Sequence, residues 1–221
     1  VKRALYYAGG FAMSAKIITI AQQKGGAGKT TVVAQLAAVY AAQKKDVALV
    51  DIDPQASLTS WFAERKRTLG EDNLIVLSSV GGWRLKNELD RLKQDFDIIL
   101  VDAPPHAQTE ANIAIRYADL LVIPVQPSPM DVWATEPTFK QAKKEKTDAI
   151  VLLNRIPPRG KLLEKIKTML EEDDRPMLSS SLGNRVAFAS SMIDGLGVVE
   201  SDKRSAAARE IKALAKEIWG R

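Results

Sequence analysis

From Met13 onward the chain alternates short apolar runs with longer stretches in which apolar residues recur at helical spacing, the rhythm of βαβ units around a mostly parallel sheet. "KIITIAQ", "VALVDI", "DIILVDA", "LLVIPVQ" and "DAIVLLN" read as buried strands, because β-branched and leucine side chains fill them and polar residues gather at their C-terminal ends. Between them, Thr30 to Gln43, Gly82 to Gln94, Gln108 to Tyr117, Val132 to Lys144 and Leu162 to Glu172 read as helices. The last stretch, "SDKRSAAAREIKALAKEIW", starts at a cap, Ser201 or Asp202, and sets Ala207, Ile211, Leu214 and Ile218 along one face. In an open parallel sheet ligands gather outside the C-terminal strand ends, so the chemistry is expected there. No repeat or long low-complexity linker divides the chain, and 221 residues fit one α/β domain.

The opening "VKRALYYAGGFAM" has a basic start and a short apolar patch, but lacks the long apolar core and clean cleavage site of a signal peptide. Because Met13 leads straight into the first strand, Val1 to Ala12 is read as an upstream start-site extension or cloning remnant, and 13–221 as a single domain.

One loop carries the strongest chemical signal. "QQKGGAGKTT", Gln22 to Thr31, lies between the strand "IITIAQ" and the helix "TTVVAQLAAVYAAQ", the strand–loop–helix setting of a phosphate-binding loop. Gly25, Gly26 and Gly28 let the backbone turn closely around oxygen atoms, so that successive N–H groups point at phosphate while the helix N-terminus adds a favourable dipole. Lys29 is assigned to the β- and γ-phosphates and Thr30 to Mg2+, with Ala27 and Thr31 completing the cradle for ATP. The fold expected is therefore a P-loop NTPase three-layer sandwich, a mostly parallel central sheet flanked by helices. One departure stands out: the glycine required five positions before the Gly-Lys pair is Gln23, and a second lysine, Lys24, sits beside it.

Acidic partners follow at strand ends. "LVDIDPQ" places Asp51 and Asp53 two residues apart, so that one approaches the metal through water while the other orients the attacking water. "IILVDAPP" places Asp102 where a carboxylate commonly holds Mg2+ or its water shell. A lone aspartate after a strand is usually a turn former or helix cap, but three of them accompany this loop. Composition removes other chemistries. Without cysteine there is no disulfide framework or thiolate, and with His106 as the single histidine there is no multi-histidine metal centre. A net charge of +5 favours polyanions such as DNA or anionic lipid, without fixing specificity.

Together "KGGAGKTT", "DIDPQASLT", "VDAPP" and "PVQPSPMD" resemble the ParA/MinD family of P-loop ATPases with a deviant Walker A motif, the ParA branch in particular, over nearly all of the chain from Met13. The resemblance implies Mg2+-dependent hydrolysis of ATP to ADP and phosphate within an ATP-bound sandwich homodimer. In it Lys24 reaches the nucleotide of the other subunit, Lys29 holds the phosphates, Asp53 positions the hydrolytic water, Asp51 belongs to the metal environment and Asp102 takes the Walker B role. A second cation near the phosphates offsets charge that develops during transfer, and supplying it from a partner ties catalysis to assembly. Asn154 ends a strand, where its amide can hydrogen-bond adenine, as the family pattern suggests, or simply form a turn. "PVQPSPMD" looks like the family's proline-rich loop beside nucleotide and dimer interface, although a bend made by prolines can be purely structural.

The ParA resemblance further implies ATP-dependent, non-specific DNA binding and hydrolysis stimulated by a partner protein, a centromere-binding adaptor, to segregate plasmid or chromosomal DNA or to position other cargo. That places the protein in the cytoplasm, on the nucleoid when ATP-bound. Arg185, Lys203, Arg204 and Arg209, with Lys212 and Lys216, are candidate phosphate contacts, and Lys140, Lys143, Lys144 and Lys146 form a second cluster. Either cluster can equally be a solvated face, and Glu210 and Glu217 dilute the terminal one. The rival is a MinD-like module on a membrane surface, with Ile211, Leu214, Ile218 and Trp219 beside Lys212 and Lys216 as an amphipathic lipid helix. That helix is needed to cover the domain, so no stable membrane association is expected. A metabolic P-loop enzyme would need a second substrate pocket, for which no constellation stands out. The short stretch before the P-loop leaves no room for an N-terminal DNA-reading domain, as in the small ParA class.

Overall fold

In the computed structural model, residues 14–70, 74–81, 84–105, 108–159 and 161–221 are described; the reading of Val1 to Ala12 as an extension, and His106, lie outside them. All five apolar runs form strands: β1 (Lys16–Ile20), β2 (Val47–Asp51), β4 (Ile98–Asp102), β5 (Leu120–Val125) and β6 (Ala149–Leu153). A further strand, β3 (Ile75–Ser79), joins at one edge, giving a six-stranded sheet of order β3-β2-β4-β1-β5-β6 with every pairing parallel.

Alternation along the strands divides the core. Ile18, Ile20, Leu49, Leu100 and Val122 pack on one face, while Ile17, Val50, Ile99, Val101 and Ile123 pack on the other. This is why the runs are apolar throughout: a parallel sheet covered on both faces leaves no polar side. The first face is covered by α1 (Lys29–Ala42), α2 (Ser57–Leu69), α8 (Val186–Ile193), α9 (Val198–Ser201) and α10 (Ala206–Trp219). The second is covered by α3 (Leu85–Leu92), α4 (Gln108–Tyr117), α5 (Pro129–Trp133), α6 (Glu136–Glu145) and α7 (Leu162–Glu172). The result is the expected three-layer sandwich. The free edge of β6 is covered by the extended chain after α7: Leu178 N–H donates to Val151 O and Leu182 N–H to Leu153 O.

Helix α1 is buried almost all round, because it lies between the sheet and α8, α9 and α10. Its polar residues are satisfied inside: Gln35 Oε1 accepts from Val198 N–H at 2.8 Å, and the Tyr40 hydroxyl donates to Ala215 O at 2.9 Å.

Two boundaries differ from expectation. The helix predicted from Val132 to Lys144 is two helices, α5 and α6, broken at Ala134 and Thr135. Pro137 is the cause: in a continuous helix its ring would meet the carbonyl four residues back. Helix α10 is capped by Ser205, whose hydroxyl accepts from Ala208 N–H at 3.1 Å, rather than by Ser201 or Asp202. Ser201 ends α9, and the Asp202 carbonyl accepts from Ser205. Helix α3 begins at Leu85, and Gly82 lies outside the described residues.

Candidate functional site

The order of the sheet locates the site. Strand β1 lies between β4 and β5, and the chain leaves it toward β2 on one side while β4 connects to β5 on the other. The loop after β1 therefore occupies the crevice at the carboxyl ends of the strands. Gly26 (φ 78°) and Gly28 (φ 92°) take the left-handed conformation that turns this loop into α1. A Cβ on Gly28 would also come within 2.6 Å of Asn154 Nδ2, whereas on Gly25 or Gly26 it would meet nothing within 4 Å. The loop is thus braced on one side and open on the other, as a phosphate cradle must be.

Lys29 opens α1 and is only 7% exposed. Burial pulls its ammonium below the ordinary lysine value, with Asp102 and Asp53 working against that. Asp102, at the end of β4, is fully buried; its Oδ2 accepts from the Thr30 hydroxyl at 2.6 Å, while Oδ1 has no partner among the described residues. Burial pushes the Asp102 carboxyl up to about 7, the Thr30 hydrogen bond opposes this, and Asp51 adds to it. A buried carboxylate with an orphaned oxygen beside a threonine hydroxyl fits Mg2+, which takes one or two protein ligands and leaves its remaining positions to phosphates and water.

A folded carboxyl that titrates near 7 binds more protons than its unfolded counterpart between about pH 4 and 7, so folding is stabilised as pH falls through that window and the contribution is lost as pH rises. Without nucleotide or metal, the protein should gain about 1 kcal/mol between pH 8 and pH 6. Thermal melts across that range should show it, and Asp102→Asn should flatten the trend; equal slopes for the two proteins would contradict it.

Asp51 and Asp53 are placed differently from Asp102. Asp51 is buried beside it across the β2–β4 ladder, but its oxygens accept from Asp53 N–H (3.1 Å), Thr59 N–H (2.9 Å) and the Thr59 hydroxyl (2.7 Å). It ties the loop after β2 to α2, beside Asp102 in the neighbouring strand. Asp53 accepts from Gln55 N–H at 2.9 Å, forming a turn two residues long at the mouth of the crevice.

Lys24 is held to the fold although its side chain is 39% exposed. Its ammonium is ion-paired with Asp131 of α5, a carboxylate only 1% exposed. From the same segment, Gln126 Nε2 donates to Gly26 O at 2.9 Å. The proline-rich "PVQPSPMD" therefore grips the P-loop at two points. Sequence reasoning singled out the segment but not these two residues; the signal was a lone carboxylate in a loop of prolines facing an unexplained lysine. Asn154 is also committed to the P-loop: Nδ2 donates to Ala27 O at 2.8 Å and Oδ1 accepts from Arg155 N–H at 2.9 Å.

The basic candidates fall into separate groups. Lys203 and Arg204 are exposed in the turn between α9 and α10, and Arg209 joins them through a 2.7 Å bond to Arg204 O. Arg185 is held at its guanidinium by Glu210, with Nε to Oε1 at 2.9 Å, and that carboxylate also accepts from Gly183 N–H. Lys140, Lys143, Lys144 and Lys146 belong to α6 and its end, in the opposite layer, so they do not extend the first patch.

A model of the CobQ/CobB/MinD/ParA nucleotide binding domain matches residues 18–198. A protein called maintenance of carboxysome distribution protein A, from Halothiobacillus neapolitanus, is 30% identical over an alignment of 208 residues that covers 91% of this chain and 95% of that one. The protein of the same name from Gloeobacter kilaueensis is 34% identical, over 90% of this chain and 89% of its own. Among solved structures, an ATP complex of a Cyanothece McdA variant superposes with a TM-score of 0.78 at 19% identity, covering 94% of this chain and 97% of that one.

Proposed function

We propose a cargo-positioning cycle for this chain, which belongs to the CobQ/CobB/MinD/ParA family of nucleotide-binding proteins. At the family level it is a Mg2+- and ATP-binding ATPase of the ParA/MinD partitioning type. The cargo in our reading is a protein assembly rather than a plasmid or chromosome. The observation that carries this is the end-to-end alignment, at 30% and 34% identity, with proteins named for carboxysome distribution. DNA segregation, the first expectation from sequence, has weaker support than the positioning of a non-DNA cargo held beside it. A membrane-surface role is disfavoured, since Ile211, Leu214 and Ile218 of α10 are buried against α1 and have no apolar face left for lipid.

In the proposed cycle, Mg2+ and ATP are held by the loop from Lys24 to Thr31 with Asp102, and ATP-bound copies pair so that each Lys24 serves the other's nucleotide. Asp53 orients the attacking water and Asn154 lies next to adenine. The dimer rests on DNA without reading bases, through Lys203, Arg204 and Arg209, until a partner protein stimulates hydrolysis. Deleting the gene in its host should leave a protein assembly clustered or unevenly spaced while plasmid and chromosome loss rates stay at wild-type values. A raised loss rate with normally spaced protein assemblies would return the reading to DNA segregation.

The DNA surface has its own test. Reversing Lys203 and Arg204 to glutamate should weaken ATP-dependent binding to unrelated duplexes by similar factors, about tenfold or more. The slope of log affinity against log salt should shrink by about 4, because two phosphate contacts are lost in each subunit of the dimer and fewer counterions are released. Light scattering in ATP must show that the variant still dimerises; unchanged affinity in a dimerising variant would remove this turn from the surface.

A further inference from the structure

Helix α8 turns an apolar side to solvent. Val186 is 82% exposed and Ile193 74%, and Ala189 and Ser190 between them are exposed as well. These four positions have the i, i+3, i+4, i+7 spacing of one helix side, opposite Phe188 and Ser191, which are buried. Other helices show charge to water: α3 exposes Lys86, Asp90 and Arg91, and α7 exposes Glu164, Lys165 and Glu171. On α8 the charges stand at the two ends, Arg185 just before the helix and Asp194 just after it. An exposed apolar stripe with a charged rim is the build of a contact surface.

This side is complementary to itself. When two copies of α8 cross antiparallel about a two-fold axis between Ala189 and Ser190, Val186 of each copy meets Ile193 of the other, and the small residues at the crossing let the helices approach closely. The same axis sets Arg185 opposite Asp194 at both ends. Glu210 takes Nε and Nη2 of Arg185, while Nη1 has no partner among the described residues, so the guanidinium can meet a second carboxylate. A parallel arrangement would instead set Arg185 against Arg185 and Asp194 against Asp194, which like charges disfavour.

We propose that α8 is a contact between two copies of this chain, paired antiparallel through Val186, Ala189, Ser190 and Ile193 and closed at each end by Arg185 with Asp194. Helix α8 packs on the face of the sheet opposite to α5, whose Asp131 holds Lys24, so the pairing uses none of the residues given to the nucleotide-dependent dimer. One eight-residue helix side buries less than the roughly 800 Å2 per partner of a stable complex. The contact is therefore weak, with a dissociation constant of about 0.1–1 mM, and forms where the protein is concentrated.

Because the chain has no cysteine, single cysteines report the pairing directly. In ADP under mild oxidation, Val186→Cys mixed with Ile193→Cys should give a disulfide-linked dimer about tenfold faster than either variant alone. Two cysteines at position 186 would lie about 10 Å apart across the axis, beyond disulfide reach. Sedimentation equilibrium of the otherwise unaltered chain in ADP should show a weak monomer–dimer equilibrium. Asp194→Arg, which sets like charges opposite each other, should weaken it about fivefold or more, and Ile193→Glu should abolish it. Val186→Cys alone linking as fast as the mixture would overturn the antiparallel pairing. A wild type that stays monomeric in ADP at millimolar concentration, or association unchanged by Ile193→Glu, would overturn the proposal, the first outcome leaving this side of α8 to a different protein.

Discussion

Replacing Lys29 with alanine is expected to lower ATP affinity at least a hundredfold while leaving the fold intact. The ammonium is buried at the first turn of α1, where water screens it little, so its contact with phosphate is a charge-assisted bond in a low-dielectric setting. Losing one such partner costs about 3 kcal/mol, which is roughly the hundredfold expected. The fold itself should tolerate the change, because burial already works against the charged lysine. Asp102 would lose an opposing cation, so its titration should move further upward. The measurement is the rise in melting temperature on adding Mg·ATP. At a nucleotide concentration of about 100 times the wild-type Kd, the wild type gains about 2.7 kcal/mol, whereas a hundredfold weaker variant gains only about 0.4 kcal/mol. Equal shifts in the two proteins would show that Lys29 does not hold the phosphates.

The parts of the fold legible in sequence were those whose physics is local. Central strands such as "IILVD" and "VALVD" are wholly buried and so contain no polar residue before the terminal aspartate. The P-loop was legible because Gly26 and Gly28 are demanded by left-handed backbone, and Gly28 again by Asn154. Strand β3 was missed because it is an edge: Val76 and Ser79 are exposed, and its apolar run, Leu74 to Leu77, is short and gives way to two serines. Helix α2 was missed because few of its residues face the core, and its buried Arg65 is an inversion that only a distant partner explains. That partner is Glu200, which meets the guanidinium with 2.8 Å bonds across 135 residues of chain. The break before α6 is legible in Pro137, which a continuous helix from Val132 cannot accommodate. In the site, residue types and strand ends pointed to Lys29, Thr30 and Asp102, which do assemble. The pairing of Lys24 with Asp131 was not readable, because it joins positions 107 apart that only the order β4-β1-β5 brings together.

That pairing sets the second large effect. For Lys24 to serve a neighbouring nucleotide it must leave Asp131, and the carboxylate left behind is almost completely buried, with Oδ1 already lacking a partner among the described residues. Release therefore carries a desolvation penalty of several kcal/mol unless the assembled dimer supplies another partner. Asp131→Asn removes the charge but keeps the shape, so Lys24 is freed at little cost. ATP-dependent dimerisation should then tighten by about tenfold, an effect near 1.4 kcal/mol that is held below the full burial term because Lys24 itself is 39% exposed. Lys24→Ala acts in the opposite sense: it strands Asp131 inside the protein, destabilising the monomer by about 2 kcal/mol, and it deprives the neighbouring site of its second cation. Combining the two substitutions should restore monomer stability but not ATP turnover, and the double-mutant cycle isolates the coupling between them. Light scattering against protein concentration in saturating ATP, with melting curves in parallel, reads both quantities. A weaker dimer for Asp131→Asn than for the wild type would mean that Asp131 is needed in the assembled state and does not restrain Lys24 in the monomer.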